Sequence, residues 1–273
     1  VLHALPDQAG KALGKIKAEF ESPDTGTDNE TIYDHLLSVT PKGNVVCQAG
    51  DIQTGRKLAK HVFEETYKVG YLAHAPMETH TAVAKLENGK LTVWSSTQTP
   101  FSLKNSAAGA VGLPPDNVRV ITPFVGGGFG GKSTNGEALE AARLAKLTGK
   151  PIQVCYSRAE EFFYDAFGPA SLIKIASGID ESGNIVFWDY TSYHAGDRNT
   201  EAIYTIPHHL TTTIGGWMMP AKGAHAFGVG AWRAPGAGFN GYARDIHLNL
   251  MAEKAGMDPL EFGLRHLMDE RMK

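Results

Sequence analysis

The stretch Val118–Ala145, VRVITPFVGGGFGGKSTNGEALEAARLA, constrains this chain more than any other part of it. A β-branched run (Val118, Val120, Ile121) enters five glycines that surround one bulky residue, Phe129, and a helical pattern leaves from Asn135. Glycine lets a backbone turn through positive φ and come close to a ligand. The first free N–H groups of a helix point outward with a dipole that favours anionic or oxygen-rich groups. Strand, glycine turn and helix N-terminus together make a cradle, and the rest of the chain has to explain what sits in it.

Three readings compete. Gly126-x4-Gly131-Lys132-Ser133 satisfies the P-loop pattern G-x-x-x-x-G-K-S/T, and Ile185–Asp189 resembles an apolar strand ending in a magnesium-binding carboxylate. In the second reading the loop serves a redox cofactor, with Phe129 and Gly130 facing it. The third is a glycine-rich β–α turn with no ligand.

Composition narrows the field. The chain has 273 residues, enough for one large or two modest domains, with 42% hydrophobic and 20% charged residues, a globular balance. A net charge of −3 with 11 scattered histidines offers no basic face for nucleic acid or an anionic membrane. Cys47 and Cys155 are far apart and form no C-x-x-C pair, which argues against a disulfide framework, a zinc ribbon or a cluster held within this chain. No apolar run is long enough to span a membrane. Without an export signal, a cytoplasmic location is expected, or a periplasmic one if a partner carries the signal. The opening at Val1 and the close on Met272-Lys273 suggest a processed chain, a fragment or one piece of a split subunit.

Along the chain, Asp7–Phe20 spaces Ala9, Leu13 and Ile16 as a helical face, Ser22–Thr31 reads as a polar linker, and Val45–Cys47 as a short strand. Residues 1–55 are therefore expected to be the remnant of a small α/β domain plus a connector, and 56–273 the principal domain. Within the latter, strands are expected over Val62–Val69, Ile152–Tyr156 and Leu172–Ile179. Thr81–Lys85 and Leu91–Ser95 should pair as a hairpin, and Ile185–Tyr193 should pair back across the Asp180–Gly183 turn. Helices are expected over Leu103–Val111, Glu137–Leu147 (stopped by Gly149), Phe239–Ala255 (stopped by Gly256) and from Pro259 after an Asp258 cap. His194–Gly216 reads as loop. The order is α+β with mixed or antiparallel sheets and packed helices, not the alternation of a doubly wound sheet.

That order weakens the P-loop reading, because hairpins rather than parallel crossovers flank the glycines. The cofactor reading gains from three polar groups at loop ends. Gln98 closes Ser96-Thr97-Gln98 ahead of the loop with an amide that both donates and accepts. Arg233 sits in a second glycine-containing loop, and Glu78 heads a strand in His74–Glu78. Three long segments, HAPMETHTAVAKLENGKLTVWSSTQTPF, VRVITPFVGGGFGGKS and AWRAPGAGFNGYARDIHLNLMAEKAGMDPLEFGLRHL, resemble the molybdenum-binding subunit of the xanthine oxidase/aldehyde oxidoreductase family. The Arg233-Ala234-Pro235-Gly236 form of the arginine loop is most similar to bacterial aldehyde or N-heterocycle oxidoreductases, and the resemblance runs from about Ala4 to Arg271.

The resemblance implies the first molybdenum-cofactor-binding domain of a molybdenum hydroxylase. Such an enzyme uses a molybdenum–molybdopterin cofactor, for which the cytosine dinucleotide form is one option. It hydroxylates a substrate C–H with water-derived oxygen and passes electrons to 2Fe-2S and FAD partner subunits. Gln98 matches the glutamine near the metal's oxo ligand. Phe129 and Gly130 match the pair facing metal and pterin, flanked by Gly128 and Gly131, and Arg233 matches the arginine of the second loop. No side chain of this chain is expected to ligate the metal, which the pterin dithiolene holds.

Two departures bear on substrate. Ser133 stands where xanthine-type enzymes carry a glutamate, and Ala234-Pro235 replaces their Gly-Phe, which disfavours xanthine. Arg198 is a candidate for the second substrate arginine, set against the alternative, which is favoured, of an ordinary exposed loop arginine. The family's general base is a glutamate in a Gly-x-Gly-Glu context within a second cofactor-binding domain, and no such motif occurs here. No catalytic residue is therefore assigned to this chain, which is expected to be inactive without a partner chain or domain supplying that glutamate.

Overall fold

Apolar period and turn residues act locally, and the computed structural model, which describes residues 1–21 and 26–272, follows them over most of the chain. It opens with α1 (Pro6–Leu13), α2 (Ile32–Ser38), β1 (Asn44–Ala49), α3 (Ile52–Leu58) and β2 (His61–Val69). Then come β3 (Thr81–Glu87), β4 (Lys90–Ser95), α4 (Pro100–Val111), β5 (Val118–Ile121), α5 (Gly136–Thr148), β6 (Ile152–Cys155) and α6 (Arg158–Tyr164). The last group is β7 (Ser171–Ile179), β8 (Ile185–Tyr193), β9 (His208–Ile214), α7 (Ala237–Ala255) and α8 (Pro259–His266). The fold is α+β, with two mixed sheets and packed helices.

The smaller sheet has the order β5-β4-β3-β6. Its β3–β4 hairpin closes through Asn88 and Gly89, at φ 50° and 73°, a geometry whose twist matches that of the strands. Against the expectation of hairpins on both sides of the glycines, β5 joins β4 in parallel by a crossover through α4, which brings the glycine loop to the end of the sheet where Gln98 leaves β4. Ala138, Ala141, Ala142 and Ala145 put a buried stripe on α5 that packs with Leu103, Ala107 and Val111 of α4 over Leu91 and Val93. Small side chains let that helix lie close to the sheet.

The larger sheet has the order β1-β9-β8-β7-β2, and α7 and α8 cover one face through Phe239, Leu248, Met251 and Phe262 against Ile173, Ile175, Trp188 and Tyr190. On α3, Gly55 makes room for Phe187 of β8: an added Cβ would lie 2.6 Å from the Phe187 Cβ. β1 pairs with β9 although it precedes the expected division at residue 55.

The region expected to be loop, His194–Gly216, contains the strand β9. It runs parallel to β8 and antiparallel to β1 in the sheet interior, with Thr211 and Thr213 buried. Its polar composition masked a run of β-branched threonines, which suit a pleated strand. Three short helices were also missed: α2, α3 and α6. Ser157 and Glu160 form a reciprocal capping box on α6, and Asp51 caps α3 by accepting from the Thr54 N–H at 2.7 Å. The expected helix over Asp7–Phe20 stops at Leu13 and buries none of its residues. The polar linker expected over Ser22–Thr31 lies partly outside the described residues.

Candidate functional site

After β5 the chain crosses the glycine loop with Gly127 at φ 94°, Phe129 at φ 54° and Gly130 at φ 115°, then turns once at Gly131–Ser133 and enters α5. A left-handed phenylalanine costs on the order of 1–2 kcal/mol and persists only where its surroundings hold it. Here three segments do so. The Gly130 N–H donates to Gln98 Oε1 at 2.9 Å, the Arg233 N–H donates to Phe129 O at 2.9 Å, and the Gln98 N–H donates to Lys132 O at 2.8 Å. The sequence-selected residues Gln98, Gly128, Phe129, Gly130, Gly131 and Arg233 thus meet at one place.

The glycines are required by contact as well as by φ. A Cβ on Gly128 would lie 2.5 Å from Gln98 Oε1, and one on Gly130 would land on the Ala231 carbonyl oxygen. Because the Gly130 N–H fixes Gln98 Oε1 as the accepting atom, the amide NH2 of this exposed side chain is left to point outward. Phe129 and the Arg233 side chain are exposed beside it. Among the described residues, none accepts from the N–H groups of Gly127, Gly128 or Phe129.

Behind the loop lies a buried set of charges. Lys132 is fully buried, and its Nζ donates to Glu78 Oε2 at 2.7 Å; Glu78 also accepts from the Gly126 N–H at 2.8 Å. Burial pushes the Glu78 carboxyl up, but Lys132 and that N–H outweigh it and hold it below the usual range. The P-loop alternative is therefore not supported, since the lysine it needs is committed to Glu78 and turned away from the open side of the loop.

His74 Nδ1 lies 2.8 Å from Asp165 Oδ2 and its Nε2 lies 2.8 Å from Ala231 O. His80 Nδ1 lies 2.9 Å from Glu161 Oε1, its Nε2 lies 3.3 Å from Gly131 O, and its N–H donates to Glu161 Oε2 at 2.7 Å. Burial pulls both imidazoles down, but the bonds to Asp165 and Glu161 outweigh it and raise them above the ordinary value. Glu137, buried under Ser95, is pushed up by burial.

Sequence reasoning missed His74, His80, Glu161 and Asp165. The one local sign was Ser157-x-x-Glu160, which marks a helix start and so sets Glu161 and Asp165 one turn apart. Arg198 is exposed, as the loop-arginine reading expects, with its guanidinium 5.2 Å over the Trp217 ring. Among the described residues no group of three His, Cys, Asp or Glu side chains could hold a metal ion. The donors present, an outward amide, free backbone N–H groups and an arginine, fit an oxygen-rich or phosphate-bearing cofactor that brings its own metal ligands.

Comparison with known proteins points the same way. Residues 38–267 match the molybdopterin cofactor-binding domain. The chain is 30% identical to the aldehyde oxidoreductase molybdenum-binding subunit PaoC of Escherichia coli, covering 94% of this chain and 35% of that protein. It is 28% identical to the nicotinate dehydrogenase large molybdopterin subunit of Eubacterium barkeri, covering 94% and 64%. It thus spans about a third of the length of the aldehyde oxidoreductase subunit. Quinoline 2-oxidoreductase from Pseudomonas putida 86 superposes with a TM-score of 0.76 at 23% identity, covering 98% of this chain and 37% of that one. CO dehydrogenase from Oligotropha carboxidovorans superposes at 0.75 and 19%, covering 98% and 38%. These two likenesses speak for the fold. With the family match over most of the chain, the conclusion is that this chain belongs to the molybdopterin cofactor-binding domain family of the molybdenum hydroxylases.

Proposed function

We propose that the chain is the first cofactor-binding part of the catalytic subunit of an oxidoreductase that hydroxylates an aldehyde or an N-heterocycle. One observation carries this reading: the Gly130–Gln98 and Arg233–Phe129 hydrogen bonds join three distant segments into one polar mouth. Gln98, through its outward amide, and the N–H groups around Phe129 would hold the oxygen-bearing side of a molybdopterin, while Gly128, Gly130 and Gly131 would shape the loop that presents them by letting Gln98, Ala231 and the His74–Asp165 pair pack against it. Arg233 would meet its polar periphery. When bound, the cofactor supplies two-electron oxidation of a substrate C–H with oxygen derived from water. Phe129 gives the mouth an apolar edge suited to a planar substrate.

The same reading includes a general-base glutamate on a second chain or domain, and electron transfer to iron–sulfur and FAD partners. Without that glutamate the chain alone would be inactive. A cytosine dinucleotide form of the pterin and a cytoplasmic location belong to the proposal as well. Metal and pterin analysis of the purified assembly tests it: stoichiometric molybdenum is expected, and a fully assembled complex holding nucleotide triphosphate and no molybdenum would refute it.

A further inference from the structure

His74 and His80 stand at the two ends of one short segment and face Asp165 and Glu161, one helical turn apart at the end of α6. Each ring gives one nitrogen to that helix end and the other to a loop carbonyl, Ala231 O for His74 and Gly131 O for His80. A carbonyl and a carboxylate only accept, so a ring between them must donate from both nitrogens, which makes it an imidazolium. Asp165 Oδ1 also accepts from the Ala166 N–H at 2.7 Å, and Glu161 Oε2 from the His80 N–H, as carboxylates would.

The two carbonyls belong to loops already in contact. Ala231 O fills the space that a side chain on Gly130 would need, and two residues later the Arg233 N–H closes onto Phe129 O. Gly131 packs against the first pair: a Cβ there would lie 2.5 Å from Asp165 Oδ2 and 2.8 Å from His74 Nδ1. Movement of the Gly131 loop therefore disturbs both histidines, and movement of the Ala231 loop disturbs His74 and, through Gly130, the first loop.

We propose that His74 and His80 are positioning residues for the cofactor: by bridging the end of α6 to the carbonyls of Ala231 and Gly131, they lock the two loops that face it into one unit. This rests on the reading that those loops face a molybdopterin. Neither ring reaches the open side of the loop, so neither is a catalytic residue. A neutral imidazole has a single donor and would leave one of its two acceptors facing a lone pair, so loss of the proton loosens one end of the clamp. The charged and titratable groups facing the rings are Asp165 for His74, and Glu161, Glu137 and Asp165 for His80, with Tyr156 packed 5.9 Å from the latter.

Amide hydrogen exchange on the assembled enzyme tests this, read on peptides spanning residues 127–134 and 229–235. His74→Leu removes the donor to Ala231 O and should speed exchange about tenfold in both peptides together, while α7 and β7 keep their protection. Asp165→Asn keeps both contacts in neutral form, because the new amide can donate to Nδ1 while Nε2–H still donates to Ala231 O. After correction for intrinsic exchange, protection of 229–235 should fall in the wild type as pH rises through the His74 value and stay flat in Asp165→Asn. Identical pH profiles in those two proteins would overturn the proposal, and so would a folded His74→Leu with both peptides unchanged or only one affected. If His74→Leu does not fold, the Asp165→Asn profile decides alone. Molybdenum content of the same wild-type samples separates the two readings: an intact exchange pattern without molybdenum removes the cofactor assignment, while molybdenum with matching pH profiles removes the clamp.

Discussion

Gly130→Ala is the sharpest perturbation the loop offers. The residue sits at φ 115° and ψ −31°, where an L side chain is strained by about 1–3 kcal/mol. Its Cβ would overlap the Ala231 carbonyl oxygen and lie 2.7 Å from Ala231 C and 3.1 Å from His74 Nε2. Those are backbone atoms and a clamped ring, so no rotamer change relieves them. The 231–233 loop would have to withdraw, breaking His74–Ala231 O and the Arg233 N–H to Phe129 O bond, about 1 kcal/mol each. The total is about 3–5 kcal/mol, which for a chain of this size lowers Tm by on the order of 10 °C. Gly109→Ala serves as the control. It lies in α4 with no heavy atom within 4 Å of an added Cβ, and alanine there should stabilise by about 0.5–1 kcal/mol. Thermal unfolding of both variants in the assembled enzyme checks the reasoning. A Gly130→Ala protein that melts with the wild type would mean that the two loops are not packed as described.

Other outcomes follow from the buried charges. Glu78→Ala strands the fully buried Lys132 ammonium, whereas Lys132→Met leaves a carboxylate that reaches solvent and keeps the Gly126 N–H, so the former should cost more in denaturant unfolding, by about 2 kcal/mol. The reverse order would show that the lysine is not enclosed. Glu137 is raised by burial and its Oε2 has no hydrogen-bond partner, so its contribution is fully present below the ordinary carboxylate value and is lost as pH rises through the folded one. Glu137→Gln should therefore raise Tm more in mildly alkaline than in mildly acidic buffer; a uniform shift would count against it. His247 is pushed down to about 4 by burial between Tyr67 and Ser177. A lowered histidine stabilises above its ordinary value, and that contribution, up to about 3 kcal/mol, disappears as pH falls towards 4. His247→Gln should shrink this acid loss, and an unchanged acid limb in equilibrium unfolding would refute the assignment.

The sequence by itself determined the strand–glycine–helix unit, because its signals are local: a β-branched run, residues that tolerate positive φ and an alanine stripe at helical spacing. It also determined the β3–β4 and β7–β8 hairpins through their turns, and α7 and α8 through Gly256 and the Asp258 cap, whose side chain accepts from the Leu260 and Glu261 N–H groups. Segments whose stability comes from distant partners were not legible. β9 reads as polar loop until β1 and β8 flank it, and α6 is too short to show a period.

In the candidate site the division is the same. Gln98, Phe129, Gly130 and Arg233 could be chosen from motifs, but Lys132 pointed to a phosphate in the sequence and points to Glu78 in the folded chain. Whether a lysine faces a loop's open side or its buried side depends on which carboxylate the fold brings beneath it. His74 meets partners 91 and 157 residues away, and no local pattern records such pairs. Tertiary structure decided the charge network because burial makes an unpaired charge costly, and only the assembled fold shows which groups are buried together.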